Sequence, residues 1–102
     1  MTAPRSSRLL SSDVLSADLG ADRTLPLGSF ADVEVGVWAM EPGTERDTEV
    51  DEVFVVLAGR GTVAFEDGEV LDLAPGVAVR LRAGEQTTWT VTETLRKVYV
   101  AG

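Results

Sequence analysis

From Phe30 onward, short apolar segments alternate with turn residues, and this pattern most constrains the fold. Each segment ends at a proline, glycine or Asp-Gly signal, and the turns include a two-residue hairpin signal at Asp67-Gly68. No segment carries a helical stripe of useful length. The pattern predicts an all-β sandwich or barrel. The predicted strands are 33–41, 52–58, 62–66, 69–73, 77–82, 87–93 and 95–100.

Length and composition favour one folded domain with an N-terminal arm. The chain has 102 residues, of which 44% are hydrophobic, enough to build a single core. Residues 1–22 are rich in Ser and Asp and lack apolar periodicity, so we interpret them as an arm that is loose or docked outside a barrel formed by 23–102. No secretory h-region follows the start, and no apolar run approaches the ~20 residues of a membrane helix.

The absence of histidine and cysteine excludes much familiar chemistry. Without cysteine the chain can form neither disulfides nor zinc-thiolate sites, and a cytoplasmic location is the default expectation. Without histidine it can form neither a Ser-His-Asp triad nor imidazole metal ligands. A net charge of −8 argues against a nucleic-acid partner, which needs clustered Lys and Arg, and is typical of a soluble surface.

The predicted strand 52–58 is apolar on both faces. Phe54 and Val56 lie on one face, and Val53, Val55 and Leu57 on the other. In an antiparallel protein this pattern indicates a strand covered on both sides. One face can fill a barrel, and the other predicts a homodimer. The alternative is that the N-terminal arm covers the second face within one chain.

The segments around Glu52 and Gly76 resemble the two sequence motifs of the cupin superfamily. The first family motif is G-x5-H-x-H-x3–4-E-x6-G, and here Glu52 is followed by six residues and Gly59. The second is G-x5-P-x-G-x2-H-x3-N, and here Gly76 and Gly84 keep its glycine spacing. The turn framework over 33–100 is similar to that of small single-domain cupins such as the ureidoglycine aminohydrolase and ethanolamine-utilisation cupin domains. The resemblance implies a single antiparallel, jelly-roll-like cupin β-barrel.

The resemblance also marks the positions of the family's metal ligands, and this chain departs from them. The first two histidine positions fall on Arg46 and Thr48, or on Glu45 and Asp47 with the longer spacing. The third falls on Thr87, and only Glu52 keeps its ligand type. One carboxylate is a poor transition-metal site, so we expect neither a metal nor another cofactor. The acidic segment 45–52 could hold a hard cation, but it lacks a calcium-loop spacing, and a solvated acidic loop is the favoured interpretation.

The resemblance implies that Glu52 points into the barrel, and Glu52 is therefore the candidate catalytic residue. An apolar pocket disfavours the charged form of a carboxylate, which suits a general acid or base. The alternative is an Arg46–Glu52 salt bridge in place of a metal site. Lys97 and Tyr99 share a strand face, and the sequence leaves open whether that face is inward.

The predicted pocket residues are Trp38, Met40, Arg46, Thr48, Phe54, Thr87, Trp89 and Tyr99. For the large residues, simple packing of a small barrel is the alternative to ligand contact.

Three functions follow from these observations. The first is a cupin that binds a small molecule in the barrel without a transition metal. The second is a metal-free isomerase, lyase or cyclase that uses Glu52 as its acid or base, with Arg46 or Thr87 orienting the substrate. The third is a dimeric structural or interaction module with a filled barrel.

Overall fold

A computed structural model describes residues 8–102, and the first seven residues of the predicted arm lie outside the described part. Within 8–102 there is no helix, and therefore none that could cross a membrane. The all-β prediction is confirmed. The seven strands are β1 (Thr24–Phe30), β2 (Val33–Met40), β3 (Gly43–Thr48), β4 (Glu52–Phe65), β5 (Val70–Leu73), β6 (Ala78–Leu81) and β7 (Gln86–Ala101).

The strands form one antiparallel sheet around two long central strands, β4 and β7. The order is β1-β2-β7-β4-β5, with β3 attached to β7 and β6 attached to β4. The carboxyl-terminal half of β7 pairs with β2, and its amino-terminal half pairs with β3. Hydrogen bonds do not close the sheet into a continuous ring. The folded sheet nevertheless has an inner face, which we call the barrel interior.

Gly59 and Gly61 lie inside β4, so the prediction of a turn at 59–61 between two strands is wrong. The register between β4 and β7 shifts at Val56/Ala58, Ala58/Arg60 and Arg60/Gly61, which marks bulges at a bend. A Cβ on Gly59 would overlap the carbonyl of Thr94, and one on Gly61 would overlap that of Thr90. The glycines therefore allow two backbones to approach closely. β7 likewise runs unbroken through Thr94, where two strands were predicted.

Two strands were not predicted at all. β1 lies before the first predicted segment, and β3 falls in the segment interpreted as an acidic loop. Every residue of β3 is exposed, because β3 is an edge strand that pairs only with β7. Its sequence, GTERDT, has no apolar face, so hydrophobic periodicity gives no signal for it.

The core lies on the inner face, and burial follows the predicted alternation. In β6, Val79 and Leu81 are buried while Ala78 and Arg80 are exposed. In β7, alternate residues from Thr87 to Val91 are buried. The core cluster comprises Met40, Phe54, Val56, Val63, Leu73, Val79, Leu81, Trp89, Val91, Leu95 and Tyr99. The predicted inward strand faces thus meet in one core.

The described part of the arm lies against the barrel through Arg96. The Arg96 guanidinium donates hydrogen bonds to the carbonyl oxygens of Val14 at 3.0 Å and Ala17 at 2.9 Å. Ala17 is buried, and residues 8–22 form neither helix nor strand. The outer face of β4 is only partly covered, since Val53 is 46% exposed.

Candidate functional site

A pocket of about 360 Å³ opens from the barrel interior and is lined mainly by polar and aromatic residues. Its walls come from β2, β3, β4 and β7 and from the start of β1, so residues distant in sequence meet there. We call it the barrel pocket. Its lining residues are Arg23, Thr24, Trp38, Met40, Glu45, Arg46, Asp47, Glu49, Glu52, Trp89, Lys97 and Tyr99.

A buried ion pair between Lys97 and Glu52 lies in this pocket. Lys97 Nζ donates to Glu52 Oε2 at 2.6 Å, and the two side chains are only 7% and 10% exposed. The same ammonium lies 4.8 Å from the ring centre of Trp38, 4.4 Å from Phe54 and 4.7 Å from Trp89. Ring faces attract a desolvated cation, so three rings and one carboxylate hold the charge of Lys97 in the interior.

Glu49 is a second buried pocket carboxylate, and sequence analysis did not identify it. It is 6% exposed, and its Oε2 accepts hydrogen bonds from Thr87 Oγ1 at 2.5 Å and Trp89 Nε1 at 3.1 Å. Its backbone is hydrogen-bonded to the turn between β6 and β7, because Glu49 N–H donates to the Glu85 carbonyl and Gly84 N–H donates to the Glu49 carbonyl. The side chain is therefore positioned from both ends.

At the rim of the pocket, Arg23 and Glu45 form a bidentate ion pair. Arg23 Nη1 donates to Glu45 Oε2 at 2.7 Å, and Arg23 Nη2 donates to Glu45 Oε1 at 3.1 Å. The hydrogen bond to Glu45 raises the pKa of Arg23, and the same bond lowers the pKa of Glu45. The Arg23 guanidinium also lies 5.7 Å from the ring centre of Trp38. The start of β1 is thereby joined to β3 across the pocket rim.

Tyr99 donates a hydrogen bond from its hydroxyl to Glu34 Oε2 at 2.6 Å. Burial raises the pKa of the Tyr99 phenol well above its ordinary range, and the hydrogen bond to Glu34 adds to the shift. The ring passes over Gly36, where a Cβ would overlap it. The glycine on β2 therefore makes room for Tyr99.

The structure brings most of the sequence-predicted site residues into the pocket or directly beneath it. Trp38, Met40, Glu52, Trp89 and Tyr99 line it. Phe54 lies beneath Lys97, and Thr87 lies behind Glu49. The open question about Lys97 and Tyr99 is answered, because both are 6% exposed and contact the pocket.

Thr48 is not among the residues that line the barrel pocket. Thr48 pairs with Gln86 across β3 and β7, is exposed, and hydrogen-bonds the Gln86 side chain at 3.1 Å. Arg46 pairs with Thr88 in the same register, so it also belongs to the outer face and reaches the pocket only at the rim. Because side chains alternate along a strand, the inward residues of β3 are Glu45 and Asp47. These are the residues that the longer motif spacing selects.

The alternative prediction, a salt bridge between Arg46 and Glu52, is wrong. Glu52 pairs with Lys97, and Arg46 forms no salt bridge within residues 8–102. The carboxylates of the acidic segment 45–52 bind different partners and do not meet at one site. Asp51, for example, accepts hydrogen bonds from Ala83 N–H at 3.2 Å and from Arg80 at 3.1 Å, and the backbone bond with Ala83 contributes most to lowering its pKa.

The residues in the pocket do not fit a transition metal. The positions of the family's histidines are occupied by Glu45, Asp47 and Thr87, and the remaining Glu52 already accepts the Lys97 ammonium. Among residues 8–102, no group of three or more His, Cys, Asp or Glu is placed to hold a metal ion. Zinc, copper, iron and nickel are suited to imidazole or thiolate ligands, and the sequence contains neither His nor Cys.

One antiparallel seven-stranded sheet with a pocket on its inner face defines this protein as a cupin. Residues 27–99 match the family profile described as the EutQ-like cupin domain, Cupin_3. The chain therefore belongs to this family, which confirms the resemblance seen in the sequence. Among curated proteins no match was found.

Solved structures give the same fold. A protein of unknown function from Rhizobium leguminosarum bv. viciae 3841 is 28% identical, with a TM-score of 0.69, and the match covers 78% of this chain and 80% of that one. A putative ethanolamine utilization protein Q from Salmonella typhimurium LT2 is 24% identical (TM-score 0.62; 70% and 58% covered). Ectoine synthase from P. lautus is 20% identical (TM-score 0.62; 69% and 53% covered). The chain spans just over half the length of the latter two.

The sequence pattern did not identify Glu49 or Arg23 as site residues, and only Glu49 had a weak signal. Glu49 stands among exposed residues in an acidic segment, so nothing in the local pattern marks it as buried. The alternation in 87–93 does place Thr87 and Trp89 inward, and two buried donors on one face require an acceptor. That requirement was the one indication of an inward carboxylate or carbonyl.

Proposed function

We propose that this cupin binds a small molecule in the barrel pocket without a transition metal. One observation supports the proposal above the others: two buried charged residues, Lys97 and Glu49, border an open cavity. A cavity of about 360 Å³ falls within the size range of small-molecule sites. Aromatic walls with a few placed polar groups are also typical of such sites.

The cavity favours binding over a filled, purely structural barrel. Burying charged groups has a high free-energy cost, and packed apolar residues of similar volume are often at least as stabilising as a buried ion pair. A chain that only needed a filled barrel would gain nothing from Lys97, Glu49 and Glu52 in its interior. Their placement beside open space is explained by contact with a ligand.

A second candidate function is metal-free acid–base catalysis, and the Lys97–Glu52 pair favours it. Glu52 Oε2 accepts a hydrogen bond from Lys97 Nζ at 2.6 Å, while no described hydrogen bond reaches Oε1. In this function Glu52 would accept a proton from a bound substrate, and the Lys97 ammonium would stabilise the resulting negative charge. A Glu52→Gln variant that retains full turnover of an identified substrate would remove Glu52 from the mechanism.

The two tryptophans provide a direct test of binding, because Trp38 and Trp89 are the only ones in the chain and both line the pocket. A library of small polar compounds is titrated into ¹⁵N-labelled protein purified without added metal, and the two indole N–H signals are followed. We expect at least one compound to shift both signals saturably. If no compound moves either signal, the proposal of a ligand pocket is wrong.

Metal content is measured on the same sample by elemental analysis. We expect no stoichiometric transition metal, and no change in the indole signals after treatment with a chelator. A stoichiometric metal whose removal shifts the Trp89 signal would contradict the metal-free part of the proposal. Homodimer formation and a cytoplasmic location stay predictions.

A further inference from the structure

Glu49 differs from the other carboxylates of the barrel pocket in its partners. Its Oε2 accepts hydrogen bonds from two neutral donors, Thr87 and Trp89, and no cation pairs with it among residues 8–102. Its Oε1 accepts no described hydrogen bond. No fully buried side-chain N or O atom in that range lacks a partner, so Oε1 is accessible to solvent, and Glu49 lines the pocket. A residue that is only 6% exposed therefore places an unpartnered carboxylate oxygen at the cavity.

The charges that face the pocket leave an excess of negative groups. The two inward cations are already matched, Arg23 by Glu45 and Lys97 by Glu52. The remaining inward carboxylates are Glu49 and Asp47. Asp47 Oδ1 accepts only the backbone N–H of Thr48. Arg46 lines the pocket at its rim without forming a salt bridge among residues 8–102, so four carboxylates face three cations. A ligand that carried positive charge would supply the missing partner.

The aromatic walls favour the same class of ligand. The Lys97 ammonium lies 4.4–4.8 Å from three ring centres, which shows that this interior accommodates an organic ammonium group. Trp38 and Trp89 also line the open cavity. A ligand ammonium close to Glu49 would have aromatic surface beside it as well as a carboxylate.

We infer that the barrel pocket binds a small organic cation, a primary amine in its ammonium form, with Glu49 Oε1 as the acceptor that anchors it. This inference rests on the proposed function and names its ligand class. The ammonium donates one N–H to Glu49 Oε1, and its carbon chain lies along Trp38 and Trp89. Thr87 and the Trp89 indole act as positioning groups, since they hold the opposite oxygen of Glu49.

The test uses three probes of matched size that differ in charge: butylammonium, butyrate and 1-butanol. Each is titrated into ¹⁵N-labelled protein at constant ionic strength and pH, and the Trp89 indole signal is followed. This N–H donates to Glu49 Oε2, so it reports directly on the carboxylate. We expect a saturable shift with butylammonium at concentrations at least tenfold below those at which the other probes act.

Glu49→Gln keeps the shape of the side chain and removes its charge. We expect the affinity for butylammonium to fall by roughly tenfold or more, since the ammonium loses its carboxylate counter-ion and keeps only a hydrogen bond to a neutral amide oxygen. Glu69→Gln is the matched control, because it makes the same change of net charge at an exposed residue outside the pocket. It should bind butylammonium as the unmodified protein does.

The outcomes separate this inference from the proposed function. If butyrate or butanol shifts the Trp89 signal and butylammonium does not, the pocket binds small molecules and the cationic class is wrong. If Glu69→Gln weakens binding as much as Glu49→Gln, the attraction is a general effect of net charge and Glu49 is not the anchor. If Glu49→Gln loses its folded spectrum, the three titrations of the unmodified protein still decide the ligand class.

Discussion

Lys97 illustrates how the surroundings of one residue determine its role. A lysine on a β-strand is usually exposed, yet Lys97 is 6% exposed because three rings and Glu52 receive its ammonium. Removal of one partner from such a buried pair typically costs about 3–5 kcal/mol. The Arg23–Glu45 pair has side chains that are 42% and 46% exposed, and solvent-exposed pairs contribute about 0–1 kcal/mol. The two ion pairs therefore differ in what they do: one shapes the interior and the other joins strands at the rim.

Tyr99 gives a pH prediction at the residue scale. Burial and Glu34 raise its pKa above the ordinary value of 10.0, so folding favours the protonated phenol. This stabilisation is complete below pH 10.0 and is lost as pH rises toward the pKa of the folded protein. Tyr99 is the only tyrosine in the chain, so the ultraviolet absorbance of tyrosinate reports on it alone. We expect a midpoint well above 10.0 that coincides with unfolding or lies beyond it.

The control for this titration is the protein unfolded in denaturant, which should ionise with an ordinary midpoint. Glu34→Gln removes the acidic partner and should lower the midpoint of the folded protein, while burial keeps it raised. A folded protein that titrates like the unfolded chain would show that Tyr99 is solvated and that the barrel interior is open to water around it.

At the scale of elements, the bend in β4 depends on Gly59. Its φ of +94° lies in the left-handed region, and a Cβ there would overlap the Thr94 carbonyl. Gly68 has a similar φ of +96°, but a Cβ added there would have no neighbour within 4 Å, so Gly68 isolates the cost of backbone strain. We expect Gly68→Ala to lower the free energy of unfolding by about 1 kcal/mol and Gly59→Ala by about 3 kcal/mol. Urea denaturation of both variants measures the difference.

Equal costs for the two substitutions would contradict the close approach of β4 and β7 at the bend. The comparison also separates two roles of glycine that look identical in sequence. Gly68 belongs to a hairpin turn at the predicted Asp-Gly position, but the loop has three residues, 66–68, because Phe65 N–H donates to the Glu69 carbonyl. Gly59 was predicted to be a turn residue for the same compositional reason and lies within a strand instead.

At the scale of the whole molecule, the outer face of the sheet bears on the predicted homodimer. Val53 lies opposite Val100 in the pairing of β4 with β7, and the two are 46% and 36% exposed. Adjacent exposed valines on a sheet face favour contact with a second copy of the chain. We expect the protein to sediment as a dimer and Val53→Glu to sediment as a monomer.

Val70→Glu is the control for the sedimentation experiment. Val70 is 57% exposed, but it lies on β5, which pairs with the other half of β4. The Val70→Glu variant introduces the same charge as Val53→Glu at a position away from Val53, and it should leave the dimer intact. Sedimentation of the unmodified protein as a monomer at high concentration would show that the exposed face does not mediate self-association.

Local patterns in the sequence were sufficient to determine the fold class and the inward faces of most strands. Alternation in 77–82 and 87–93 identified Val79, Leu81, Thr87 and Trp89 as inward, because side chains on a strand alternate strictly. Turn residues and motif spacing identified a cupin and directed attention to Glu52. These are short-range properties, and a single chain displays them without knowledge of its neighbours.

Only the tertiary structure decided which groups meet in the pocket. The bonds from Lys97 to Glu52, from Thr87 to Glu49 and from Tyr99 to Glu34 join residues 45, 38 and 65 positions apart in the chain. Such contacts depend on the register between distant strands, and a shift of one residue would turn each side chain to the opposite face. The register of β3 against β7 likewise placed Glu45 and Asp47 inward and Thr48 outward. The sequence determined a cupin without histidines, and long-range strand pairing determined that its pocket contains Glu49, Glu52 and Lys97.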